Sequence, residues 1–97
     1  MTIDRDQLYD GTKDLLERLA DRLPEQDLET LRSLHDVGEP IHLLDYLCAG
    51  LVRWRTGITQ AERDALAVLV SDLVIPEGEY SYLDAPDRTL AALNVVT

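Results

Sequence analysis

His35 and His42 carry the only imidazoles in this 97-residue chain, and Cys48 its only thiol. A Cys–His pair can generate a thiolate nucleophile when the two side chains meet in space. Here the two histidines stand on either side of Gly38, in different predicted helices, so their spacing does not bring them together. No His-Glu-x-x-His and no Cys-x-x-Cys pattern is present. Cys48 sits inside the run "LLDYLCAGL". There a thiolate is disfavoured and a cysteine acts as a small apolar core residue. A lone cysteine also excludes an internal disulfide and a cysteine-rich zinc site.

Nineteen carboxylates produce pairs one helical turn apart, such as Asp10 with Asp14 and Glu25 with Glu29. Such pairs can hold a metal or share a proton. On a solvated helix face they are simply charges. Neither a calcium-loop pattern nor a phosphate-cradling glycine loop occurs. The expectation is no catalytic set, no metal and no cofactor.

Two short segments could instead make contacts. "RWRTG" (residues 53–57) is a basic-aromatic cluster of the kind that stacks on nucleic acid. Arginine in the last turn of a helix complements the helix dipole, so the structural reading is preferred, with Trp54 packed inward. "EGEYSYLD" (residues 77–84) places Tyr80 and Tyr82 in an acidic, turn-prone stretch. Tyrosines there serve equally well as interface anchors or as half-buried residues closing the fold.

Charge narrows the classes of partner. Net charge is −10, from 19 acidic and 9 basic residues. Residues 1–52 carry net −7, residues 53–63 net +2 and residues 64–97 net −5. A nucleic-acid binder needs Lys and Arg against phosphates, and an anionic membrane needs the same. Neither is expected as a partner; a basic protein is. The segment "MTIDRDQLYD" shows no apolar leader, and no apolar run is long enough to span a bilayer, so a cytoplasmic bacterial-type protein is expected.

The elements that position these residues are helical throughout. The length suits one domain, residues 1–97. A first helix opens with Asp4 as cap, Gln7 three residues on and an Ile3–Leu8 staple, and its leucine face runs through Leu23 to Pro24. A second helix spans about residues 24–37, with Leu28, Leu31 and Leu34 inward, Glu25, Asp27 and Glu29 in its first turns, and Gly38 as its left-handed stop. A third begins near Pro40, with Glu39 beside its N-terminus. Its apolar arc, from Ile41 to Trp54, exceeds half the circumference, which implies a central helix; Gly57 is the expected stop. The polar remainder of that helix includes His42, Asp45 and Tyr46. A fourth starts at the capping box Thr59–Glu62, carries Leu66, Leu69, Val70, Leu73 and Val74, and ends at Pro76 and Gly78. Asp84 with Pro86 can start a short fifth helix through Leu93, or "NVVT" can end extended. The fold class expected is all-α, a compact antiparallel bundle of four helices with a short fifth C-terminal helix as an option.

The segment "LRSLHDVGEPIHLLDYLCAGLVRWRTGITQAERDALAVLVSDL" resembles small bacterial immunity proteins of the MafI type. In that family a leucine helix reaches a Gly-Glu turn, a Leu-x-x-Leu-Cys helix follows, and a short loop leads to Thr/Ser-x-x-Glu and a last leucine helix. The matching residues are Gly38, Glu39, Leu44, Leu47, Cys48, Leu51, Ile58, Thr59 and Glu62, within roughly residues 28–74. The tail from Glu79 departs from the pattern. The resemblance implies a non-catalytic inhibitor in a heterodimer with the C-terminal domain of a cognate toxin. Many such toxins are basic nucleases, which an acidic domain can meet as a phosphate mimic. Colicin-nuclease immunity proteins are similar in outline. The contact residues expected are Glu25, Asp27, Glu29, Glu39, Asp45, Glu77, Glu79, Tyr80, Tyr82 and Asp84. Tyr80-x-x-x-Asp84 also fits the Tyr-x-x-x-Asp/Glu signal of type VII secretion substrates, although Trp54-Arg-Thr-Gly57 has one residue more than their Trp-x-Gly turn. The alternative is a homo-oligomeric adaptor or secretion chaperone, a homodimer with an apolar surface on its first helix.

Overall fold

A computed structural model describes residues 5–71 and 82–96. The first helix, α1 (Arg5–Leu19), buries Leu8, Thr12, Leu15, Leu16 and Leu19, one stripe at helical spacing. The regular helix ends at Leu19, short of the leucine pattern that predicts it through Leu23. Ala20–Arg22 tighten into a 3-10 turn, and Leu23 is extended with ψ 146°. The cause is Pro24, whose ring excludes the helical conformation from the residue before it. The expected cap at Asp4 and the staple at Ile3 lie outside the described residues.

Helix α2 (Glu25–Asp36) begins directly after Pro24 and buries Leu31 and His35. It ends as expected at Gly38, which takes a left-handed φ of 76°. The Glu39 amide donates to the Leu34 carbonyl and the Gly38 amide to the His35 carbonyl, both at 3.0 Å. This is a Schellman stop. Helix α3 (Pro40–Arg53) follows immediately, with proline in its first turn. The α3 stop is not the expected Gly57. The Thr56 amide reaches the Leu51 carbonyl and the Arg55 amide the Val52 carbonyl, so the same motif closes around Arg55, at φ 49°.

These two stops make opposite predictions. A Cβ at Gly38 meets nothing within 4 Å. Gly38→Ala therefore costs about 1 kcal/mol through backbone conformation alone. Arg55→Gly relieves the same conformation and is expected to add about 0.5–1 kcal/mol. Urea denaturation of both variants checks the pair; equal signs would refute the assignment of the two stops.

Helix α4 (Gln60–Ser71) starts at the predicted capping box: the Glu62 amide donates to Thr59 Oγ1 at 3.1 Å, and the Thr59 amide to Glu62 Oε1 at 2.8 Å. Leu66, Leu69 and Val70 are buried; Leu73, Val74 and the expected stop at Pro76 and Gly78 fall outside the described residues. The short fifth helix is present as α5 (Pro86–Ala92), with Ala85 rather than Asp84 at its N-cap. Beyond it the chain is extended, and both options for the tail hold in succession. Ile58 and Val95 form an isolated parallel bridge, the Ile58 amide donating to the Asn94 carbonyl at 3.0 Å and the Val96 amide to the Ile58 carbonyl at 2.8 Å.

The molecule is thus all-α, a small helical bundle. Helix α3 packs against α1, α2 and α5, while α4 packs against α1 and α5. On α3, Leu43, Leu44, Leu47, Cys48 and Leu51 are each at most 1% exposed. This is the central helix that the wide apolar arc implies. The radius of gyration is 12.3 Å, against about 12.5 Å expected for a globular chain of this length. Among the described residues no helix is long and apolar enough to cross a membrane.

Candidate functional site

The structure places the two histidines and the cysteine in different surroundings. Cys48 is buried, and its thiol is pushed up to about 12, first by burial and then by the negative charge of Asp45. It is therefore a protonated core residue at neutral pH. His35 is buried between α2 and α1, where its ring lies 3.9 Å from that of Tyr9. His42 is exposed on α3. Among the described residues no three His, Cys, Asp or Glu side chains come close enough to hold a metal ion.

The predicted contact carboxylates divide by role. Glu25 and Glu29 are exposed on α2 and line a shallow polar groove with Arg32 and Asp36. Asp27, on the other side of the same helix, is half-buried and accepts a hydrogen bond from the Tyr46 hydroxyl of α3 at 3.3 Å. Asp45 is turned to internal use. Its Oδ1 accepts the amides of Tyr82 and Leu83 at 2.9 and 3.0 Å, tying the turn before α5 to α3. Tyr82 itself is half-buried against the core, and its carbonyl accepts the buried Thr89 hydroxyl at 2.7 Å. Glu39 and Asp84 are exposed. Glu77, Glu79 and Tyr80 lie outside the described residues. Residues 45 and 46, adjacent on α3, thus link one predicted half of the contact surface, α2, to the other, the 82–84 turn.

The cation in the α2 groove is already matched. Arg32 donates through Nε and a terminal nitrogen to both carboxylate oxygens of Glu17 on α1, at 3.1 and 2.9 Å. With Lys13 also bonded to it, Glu17 is held down at about 2. Arg32 therefore cannot offset Glu25, Glu29 and Asp36 as a free cation would, and the groove presents net negative charge.

A second ion cluster was only half legible. Glu62, expected only as a reciprocal cap, is 2% exposed and also the acceptor of a bidentate pair with Arg22, at 2.7 and 2.5 Å. Arg18 Nε lies 3.2 Å from the same carboxylate. The Arg22 hydrogen bonds, aided by the Thr59 amide, hold Glu62 down at about 2 against the opposing effect of burial. The capping box signalled that Glu62 turns back on its own helix; nothing in the local pattern signalled that Arg22, forty residues away, completes it.

Trp54 overturns its expectation. It is 59% exposed, not packed inward. Its amide still bonds the Gly50 carbonyl at 3.0 Å, so it keeps helical register, but it stands one residue past the end of the helix, beyond the last covered turn. It lines a surface depression of about 470 Å³ with Leu23, Pro24 and Gly57. Pro24 directly precedes Glu25, so the exposed indole stands at the N-terminal end of the acidic α2 face. Tryptophan is the residue most enriched among binding hot spots, together with Tyr and Arg.

No known protein family, no curated protein and no solved structure matches this chain.

Proposed function

We propose that the chain is a non-catalytic, cytoplasmic immunity protein of the MafI type, which binds and neutralises a basic bacterial toxin domain, nuclease-like in charge, as one half of a heterodimer. The observation that carries this reading is the α2 groove. Glu25, Glu29 and Asp36 face solvent there, while the only cation among them is committed to Glu17. A surface of one sign, held on a rigid leucine core, steers an oppositely charged partner. Trp54 adds an apolar anchor beside that charge, a combination that suits a desolvated contact centre.

The test is to mix the purified protein with the product of the neighbouring gene. A complex is expected, and its association should slow as salt rises while dissociation changes little. The triple variant Glu25→Gln, Glu29→Gln, Asp36→Asn should lower the association rate by about tenfold, within the range that steering supplies. Trp54→Ala should instead raise the dissociation rate, by about 30-fold for a hot spot of about 2 kcal/mol. Absence of a complex at micromolar concentration would sink the reading.

A further inference from the structure

A second surface carries features that the acidic face does not use. Between α1 and α4 runs an apolar groove of about 320 Å³, floored by Leu15 and Leu69 and walled by the small residues Gly11 and Ala65. Helix packing is close here: a Cβ on Gly11 would lie 2.9 Å from Leu69 Cδ2. On the rim stands Val68, 61% exposed. Ala61, Ala65 and Val68 recur at helical spacing along α4, and all three are exposed. Asp14 and Arg18, one turn apart on α1, edge the groove with opposite charges. Arg18 meets Glu62 through Nε yet its side chain remains 59% exposed.

We infer that this groove is a twofold interface with a second copy of the chain, in which Val68 of each copy enters the Gly11–Ala65 hollow of the other and Asp14 of each faces Arg18 of the other. A twofold contact must be self-complementary. This patch holds a projection and a hollow side by side, and a cation and an anion four residues apart on one helix. Antiparallel juxtaposition of two α1 helices pairs Asp14 with Arg18 twice, once on each side of the axis. An unrelated apolar segment would fill the hollow but make no charged contact with Asp14 and Arg18 at its edge. The inference is independent of the acidic face and of any toxin.

The salt dependence separates the two surfaces. Two copies each carrying −10 repel, and salt screens that repulsion at distances beyond the Debye length. Self-association is therefore expected to tighten as salt rises, opposite to the contact made by the α2 groove. Sedimentation equilibrium of the full chain, from micromolar to near-millimolar concentration at low and high salt, is the experiment. A monomer–dimer equilibrium is expected, with Val68→Glu abolishing the dimer and Asp14→Arg weakening it at least tenfold. Val37→Glu, the same change at a site 67% exposed elsewhere, should leave dimerisation unchanged; both glutamate variants should keep the wild-type circular dichroism. A wild-type chain that stays monomeric at every condition overturns the inference, as does a dimer indifferent to Val68→Glu. If Val68→Glu disturbs only the complex with the neighbouring gene product, the groove belongs to that partner and self-association is refuted.

Discussion

Glu62→Ala should lower the unfolding free energy by about 2–4 kcal/mol, somewhat less than the 3–5 kcal/mol typical of breaking a fully buried ion pair. The discount follows from Arg22, whose side chain is 34% exposed and can rehydrate when its partner is removed. Two losses combine: the bidentate pair that joins the 3-10 turn to α4, and the reciprocal cap on α4. Glu62→Gln keeps an acceptor for the Thr59 amide but not the charge, so it should recover about 1 kcal/mol, the worth of a cap. The pH dependence has a definite sign. The carboxyl titrates at about 2 in the folded chain and near 4.5 when unfolded. Its contribution is complete above pH 4.5 and is lost as pH falls towards 2. Glu17 titrates in the same window, but its pair with Arg32 is solvent-exposed and contributes little. Urea midpoints measured from pH 6 down to about 2 should therefore fall more steeply for the natural chain than for Glu62→Ala. Parallel curves would refute the role assigned to Glu62.

Asp45→Ala is expected to cost about 2–3 kcal/mol, since two hydrogen bonds to one charged acceptor are removed from a half-buried position. The amides of Tyr82 and Leu83 lose their acceptor, and the turn that leads into α5 is released from α3. Hydrogen exchange should accelerate at those two amides before it does in the α1–α3 core. Asp45→Asn retains the oxygen and should cost about half as much. The same variants lower the Cys48 thiol from about 12 only part of the way, because burial is the larger cause of its shift and Asp45 the smaller. A stability change below about 0.5 kcal/mol, the range of an ordinary surface substitution, would mean that Asp45 is a free surface charge.

Asp45 and Trp54 show where local pattern stops being informative. Both lie near the edge of the α3 apolar arc, one counted as a contact carboxylate and the other as core. Their fates depend on what reaches them from elsewhere in the chain. The 82–83 turn arrives at Asp45 and takes its charge for structure. Nothing covers Trp54, because the helix ends at Arg53. Glu25 and Glu29 were legible as exposed, since helical periodicity sets them off the Leu28, Leu31 and Leu34 face. The freedom of their charge was not, because that required knowing that Arg32 turns to Glu17 across the α1–α2 boundary.

The sequence alone determined the helices, the Gly38 and Thr59–Glu62 boundaries, the central place of α3 and the burial of Cys48. All of these follow from periodicity and capping within a few residues of chain. Tertiary structure decided which charges remain available and which are consumed: Arg22 with Glu62, Arg32 with Glu17, and Asp45 with the Tyr82–Leu83 amides. It also decided that Gly11 and Ala65 border one hollow with Val68 at its rim. The reason is physical. Helix formation is governed by contacts three and four residues apart, whereas ion pairing and surface relief depend on residues 15 or more positions apart meeting at the same few ångströms, a coincidence that only packing creates.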